Sequence, residues 1–267
     1  MLASRSPPPS PTRRRLLAGA VATALLPSLA NATSALPLIA AASDLKFALD
    51  EIAAAYLAAS GNAVRCVYGS SGNFRRQIAQ GAPFELFFSA DESYVDALNK
   101  EKRTIDGGML YAIGRIAIMV PPHSPLKPEA DLSDLGAALS RGAIKRLAIA
   151  NPEHAPYGRA ARQALENAGL WKPLAGKLVL GENVSQAAQF ATSGSTDGGI
   201  IAYSLALAPA IGKLGRHALI PARLHAPLRQ KMVLVSGAGA TARDFYRFVQ
   251  SPLARAILSR NGFPSTS

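Results

Sequence analysis

The stretch LPLIAAASDLKFALDEIAAAY, residues 36–56, decides the fold. Its first part, Leu36 to Ala42, is an unbroken apolar run of strand length. From Asp44 onward Leu45, Leu49, Ile52, Ala53 and Tyr56 recur at helical spacing, which predicts a helix over 44–60 that Gly61-Asn62 stops. A buried strand therefore runs straight into a helix, with only Ala42-Ser43 to turn on. The pattern then repeats. Val64 to Tyr68 reads as a strand, Gly69-Ser70-Ser71-Gly72 as a turn, Phe74, Ile78 and Ala79 as a short helix, and Phe84 to Ser89 as a third strand. This β-α-β-α-β order implies a mainly parallel sheet with helices on its faces.

Further along, Ile113 to Val120 reads as one apolar strand, ended by Pro121-Pro122 and a Pro-rich stretch to 128 that marks a boundary. A second alternation follows: strand 146–150, helix 159–168, strand 177–180, helix 184–193 and strand 199–203. Lys231 to Val235 is a late strand, and Ala242 to Leu258 a helix that Pro252 interrupts. Two α/β units in sequence imply two lobes, with a cleft at the carboxyl ends of their strands.

Four strand-to-helix turns share one design of small or hydroxylated residues. They are Ala41-Ala42-Ser43-Asp44, Gly69-Ser70-Ser71-Gly72, Ala155-Pro156-Tyr157-Gly158 and Glu182-Asn183-Val184-Ser185. A helix start offers unpaired N–H groups and the positive end of the helix dipole, so it binds anions without needing a lysine. Four such turns on two lobes could wrap one tetrahedral anion. Each also has a plainer reading: Ser43 and Ser71 as N-caps, Asp44 as a cap or first-turn carboxylate, Tyr157 and Tyr203 as core or rim aromatics.

Catalytic patterns are absent from the sequence. His123, His154, His217 and His225 are scattered, with no HExxH or other metal spacing. There is no G-x-S-x-G elbow, no Walker A motif and no G-x-G-x-x-G after a strand. The single cysteine, Cys66, allows no intramolecular disulfide and sits in a strand-like run, as a small core residue would. Neither an enzyme nor a bound cofactor is expected.

The N-terminus is a different kind of segment. A proline-rich start leads to Arg13-Arg14-Arg15, then an apolar run from Leu16 to Leu29, then Ala30-Asn31-Ala32. Basic, apolar and small-residue regions in that order make a secretory signal over 1–35, cleaved near Ala32 or Ala35. The apolar run is short for a spanning helix. The arginine cluster also fits a twin-arginine signal, and the route stays open. No cysteine follows to take a lipid anchor, which leaves a periplasmic location. Cleavage removes Arg5, Arg13, Arg14 and Arg15 and lowers the formal charge from +12 to +8. A basic chain raises the question of nucleic acid, but the export signal argues against that partner. The positive field favours arrival of a small anion.

Over nearly the whole of 36–264 the chain resembles the molybdate-binding components of ABC transporters, which are type II periplasmic binding proteins. The segments that carry the resemblance are AAASDLKFALDEIAAAY (40–56), GSSGNFRRQIAQGAPFELFFSADE (69–92) and IANPEHAPYGRAARQALENAGLW (149–171). With them go GENVSQAAQF (181–190), DGGIIAYSLA (197–206) and RDFYRFVQSPLARAILSRNGF (243–263).

The resemblance implies a two-lobed fold: 36–118 and 119–228 as lobes, with 229–267 returning to the first and adding the C-terminal helices. Closure would hinge near 115–120 and 229–235. The ligand would be dehydrated molybdate or tungstate in the interlobe cleft. By position, Ser43 and Ser71 would each give a hydroxyl and a backbone N–H, Tyr157 and Val184 a backbone N–H, and Tyr203 its hydroxyl. These residues would reach the metal only through the oxyanion's oxygens. The partner would be the membrane permease of an importer, served by a monomer.

The sequence departs from the family at Asp44, where many members are neutral, at Glu85 and at Gly72-Asn73. A carboxylate aimed at the anion would repel it, so the Asp44 side chain is expected to turn toward the helix end or solvent. Other readings remain: a receptor for sulfate or phosphate, an enzyme on the same fold, or a surface whose net charge binds polyanions until salt screens it.

Overall fold

The structure is a computed structural model that describes residues 36–264. The signal expected over 1–35 lies outside them. Two five-stranded sheets organise the chain, and each is built the same way. In the first, β1 (Leu38–Ala42) is flanked in parallel by β2 (Arg65–Gly69) and β3 (Leu86–Ser89). The late strand β10 (Leu228–Leu234) then pairs antiparallel with β3 and with β4 (Met109–Gly114). In the second, β6 (Leu147–Ala150) is flanked in parallel by β7 (Leu178–Gly181) and β8 (Gly199–Ala202). Here β5 (Ile116–Val120) is the antiparallel strand, paired with β8 and with β9 (Arg216–Leu219). The orders β2-β1-β3-β10-β4 and β7-β6-β8-β5-β9 match strand for strand. This is the two-lobed periplasmic-binding type II arrangement, with helices on the sheet faces.

The parallel strands are joined by the predicted helices. In the first lobe these are α1 (Lys46–Ser60), reached through a short tight turn at Ser43–Leu45, and α2 (Ser71–Ala79). In the second they are α5 (Pro156–Asn167) and α6 (Val184–Thr192). Strands β1 and β6 are buried on both faces, as a parallel sheet covered by helices requires. Two further helices, α3 (Glu92–Lys100) and α4 (Ser133–Ser140), cover sheet faces; α7 (Tyr203–Leu207) and α8 (Pro209–Gly212) are short.

Three readings are corrected. The run 113–120 is not one strand. Arg115 divides it, so β4 closes the first sheet and β5 enters the second. The first crossing, at Arg115, falls at the near end of the expected 115–120, with all of β5 in the second lobe; the return crossing, at 225–227, comes before the expected 229–235, where the chain leaves the second lobe for β10. At the C-terminus the interruption falls before Pro252 rather than at it, between α9 (Ala240–Phe248) and α10 (Pro252–Arg260). Pro252, having no N–H to place, starts α10 at its first position, and the Ser251 hydroxyl accepts from the Ala254 N–H at 3.2 Å.

The first lobe has apolar cores on both faces of its sheet. One contains Ile39, Leu45, Phe88 and Phe245 and the other Phe74, Phe87 and Leu98. The second lobe's core runs through Ile118, Leu147, Ile149 and Leu165 and takes in Ala42, Ala90 and Leu228 from the first lobe. Apolar packing is thus continuous beneath the cleft. No described helix is long and apolar enough to cross a membrane.

Candidate anion-binding site

All four turns singled out in the sequence meet at one small cavity. Ala42, Ser43 and Asp44 come from the end of β1, and Gly69, Ser70 and Ser71 from the end of β2. Ala155, Pro156 and Tyr157 line it from the start of α5, Val184 from the start of α6, and Ala90 from beyond β3. A roomier cavity of about 690 Å³ lies between β4 and α10, but none of the four turns reaches it. Convergence rather than size identifies the site.

The capping reading fails for both serines. The N-cap of α2 is Ser70, whose hydroxyl accepts from the Asn73 N–H at 3.4 Å. Ser71 is the first helical residue; its hydroxyl accepts from the Ala90 N–H at 2.9 Å, and its own proton remains to be donated. Ser43 reaches across the cleft. Its hydroxyl donates to Asn183 Oδ1 at 3.1 Å and accepts from the Ser185 N–H at 3.2 Å, while the Ser185 hydroxyl donates to Ser43 O at 2.9 Å. Asn183 is the cap of α6 and accepts from Ser185 and Gln186. With the cap engaged there, the Val184 N–H at the first helical position has no intrahelical acceptor. Ser71 and Tyr157, at the first and second positions of their helices, are alike in this.

The two lobes are drawn together around the cavity. The Gly72 N–H donates to His154 O at 3.0 Å, and Ser70 shares a hydrogen bond of 3.0 Å with the His154 ring. Asn73 donates to Glu182, and Arg159 pairs with Asp91 and donates to the Tyr94 hydroxyl at 2.7 Å. These contacts bind α2 and α3 of one lobe to α5 and the start of α6 on the other. No lysine or arginine stands among the cavity's lining residues. Its donors are hydroxyls and backbone N–H groups.

Ser43, Ser71, Tyr157 and Val184 are therefore brought together, and Tyr203 is not. Tyr203 follows β8 directly and begins α7. Its N–H donates to Arg115 O at 2.9 Å, its ring stands edge-on to His217 at 5.9 Å, and it is absent from the cavity wall.

Asp44 also departs from expectation. It turns neither to solvent nor to the helix end: it is 1% exposed, and its Oδ2 accepts from the Tyr157 hydroxyl at 2.9 Å and from Gln230 Nε2 at 2.7 Å. Burial pushes its carboxyl up from the ordinary 3.8 to about 6, against the lowering effect of the bonds from Gln230 and Tyr157. Burial and the nearby Asp44 charge also hold the Tyr157 phenol well above its usual range, which keeps it a donor. Sequence reasoning missed Gln230 altogether, since a lone glutamine in a late strand carries no local signal. Glu85 lies away from the cavity: it accepts from the Gly239 N–H at 2.8 Å, at the start of α9. Among the described residues no group of three or more histidine, cysteine or carboxylate side chains could hold a bare metal ion.

Comparison with known proteins places this geometry. Residues 37–264 match the family described as bacterial extracellular solute-binding protein. The molybdate-binding protein ModA of Rhodobacter capsulatus is 36% identical over 93% of this chain and 96% of its own length. The protein of the same name from Azotobacter vinelandii is 33% identical over 84% of this chain and 88% of its own. The solved structure of the periplasmic molybdate-binding protein of A. vinelandii superposes with a TM-score of 0.77 at 30% identity, covering 87% of this chain and all of that one.

Proposed function

The chain belongs to the bacterial extracellular solute-binding protein family, and we propose that it is the periplasmic receptor of an ABC importer for molybdate, taking tungstate as well. The observation that carries this reading is the cavity onto which the starts of α2, α5 and α6 and the Ser43 turn converge, its donors all neutral and its one carboxyl, Asp44, engaged through Oδ2 by Tyr157 and Gln230. A tetrahedral dianion has acceptors only, and hydrogen bonds to a charged acceptor are the strong ones. Helix starts supply such donors together with a favourable dipole. A protonated oxyanion would set donor against donor, so the site favours a fully deprotonated ligand.

In this reading the ligand groups are the hydroxyl and N–H of Ser71 and the N–H groups of Ser43, Tyr157 and Val184, joined by the Ser43 hydroxyl once its proton turns from Asn183 Oδ1 to the anion. Closure around the anion excludes water, and cavity size separates molybdate and tungstate from the smaller sulfate. The protein binds and delivers; it does no chemistry on its ligand and needs no cofactor. It works as a monomer, is exported by its N-terminal signal, loses residues up to about 35 and hands the anion to a membrane permease. The names of its curated relatives support the choice of molybdate.

Metal analysis of the chain purified from the periplasm of a Gram-negative host grown with molybdate tests the proposal. About one molybdenum per chain is expected. Protein that is correctly folded but carries none after growth in excess molybdate contradicts it.

A further inference from the structure

We propose that Asp44 is a positioning residue for the anion site: its carboxylate latches the second lobe over the cavity by accepting from the Tyr157 hydroxyl, with Gln230 holding the pair in register. This rests on the reading that the cavity is the oxyanion site.

Three segments distant in sequence meet at this carboxylate. Asp44 belongs to the turn after β1, Tyr157 to the first turn of α5 in the opposite lobe, and Gln230 to β10. Gln230 Nε2 donates to Asp44 Oδ2 at 2.7 Å and to the Tyr157 oxygen at 3.0 Å, so the three groups close a ring. The Tyr111 hydroxyl on β4 donates to Gln230 Oε1 at 2.7 Å. The Asp44 carboxylate can only accept, so the amide turns Nε2 toward it and leaves Oε1 for Tyr111. Gln230 is fully buried, and the three bonds that join it, Asp44 and Tyr157 are made away from water.

The cluster also lies where rotation of the lobes begins. Gly114, last residue of β4 before the crossing at Arg115, pairs with Leu228 beside the other crossing. A Cβ on Gly114 would stand 2.5 Å from the Tyr157 hydroxyl oxygen and 2.7 Å from Gln230 Nε2. Glycine there is what lets the latch pass beside the crossover. The backbone adds a second tie, since the Ser204 hydroxyl of the second lobe donates to Asp44 O at 2.9 Å.

Because Tyr157 is both a wall of the cavity and the latch's far end, swinging α5 away breaks the Tyr157–Asp44 bond as it opens the cavity. The latch thus acts on release of the anion. It adds nothing to the encounter, which takes place with the lobes apart.

The test is stopped-flow measurement of molybdate association and release for the wild type, Tyr157→Phe, Asp44→Ala and Asp44→Asn, with small-angle scattering of each without ligand. Tyr157→Phe and Asp44→Ala are expected to speed release about tenfold or more with association little changed, the loss of one buried bond to a charged acceptor. The pair combined should be no worse than either alone. Asp44→Asn keeps an acceptor oxygen and should restore slow release relative to Asp44→Ala. Both latch-breaking variants should scatter as more open particles. Unaltered release rates in Tyr157→Phe overturn the latch. If the wild type binds no molybdate, the oxyanion reading fails, and scattering alone decides: a radius for Tyr157→Phe equal to the wild type's overturns the latch as well.

Discussion

Gly72 and His154 meet across the cleft so closely that no side chain fits between them. The Gly72 N–H donates to His154 O at 3.0 Å, and a Cβ on Gly72 would lie 2.5 Å from the same oxygen. The obstacle is backbone, which cannot swing aside. Gly72→Ala should therefore leave each lobe folded and oppose only their closure. Since affinity falls with the fraction of molecules able to close, a loss of about tenfold or more is expected by calorimetry, with an unchanged circular dichroism spectrum. Wild-type affinity in that variant would mean that the contact is not needed for binding.

Ser71→Ala should act on both stability and binding. Its hydroxyl accepts from the buried Ala90 N–H at 2.9 Å, and removing it strands that donor. The stability cost should be about 1–3 kcal/mol, read by urea denaturation without ligand. Oxyanion affinity should fall as well. Loss of stability with full affinity would leave Ser71 a structural residue only.

The buried Asp44 carboxyl makes stability depend on pH. The folded chain holds the Asp44 proton up to about pH 6, whereas the unfolded chain releases it near 3.8. Between those values the folded state binds more protons, so this group's contribution is present at low pH and is lost as pH rises through the window. The change is on the order of 3 kcal/mol. Asp44→Asn cannot titrate. Denaturation curves from pH 4 to 7.5 should show the wild type losing ground to Asp44→Asn across the window; a constant difference would contradict the shift.

Tyr203→Phe is expected to leave anion affinity within about twofold, since the ring rests against His217 outside the cavity and substitutions away from a site are usually within ±0.5 kcal/mol. A loss of about 1–3 kcal/mol, the value for a buried donor to a charged acceptor, would return the hydroxyl to the ligand shell.

What the sequence discloses and what it hides follow a physical division. The parallel trios and the four helix starts were readable because strand runs, helical spacing and small turn residues are local signals. The strand β9 was missed; Arg216-His217-Ala218-Leu219 lies at a sheet edge and lacks an apolar run. Tyr203 was assigned to the cavity by position in the family pattern alone; the structure sets it at the start of α7, against His217 and off the cavity wall. Asp44 was misread for a different reason. Its partners Tyr157 and Gln230 are 113 and 186 residues away, and nothing near Asp44 in the chain announces them. The close approaches at Gly72 and Gly114 are likewise properties of two segments at once, and a glycine by itself does not declare which neighbour it admits.

Four turns, through neutral donors, should close around a tetrahedral oxyanion of molybdate size. Calorimetric titration of the ligand-free mature chain with molybdate, tungstate, sulfate and phosphate at one pH tests it most directly. Tight one-to-one binding of molybdate and tungstate and none of the other two is expected; no heat with molybdate, or sulfate bound equally well, would rule the molybdate receptor out.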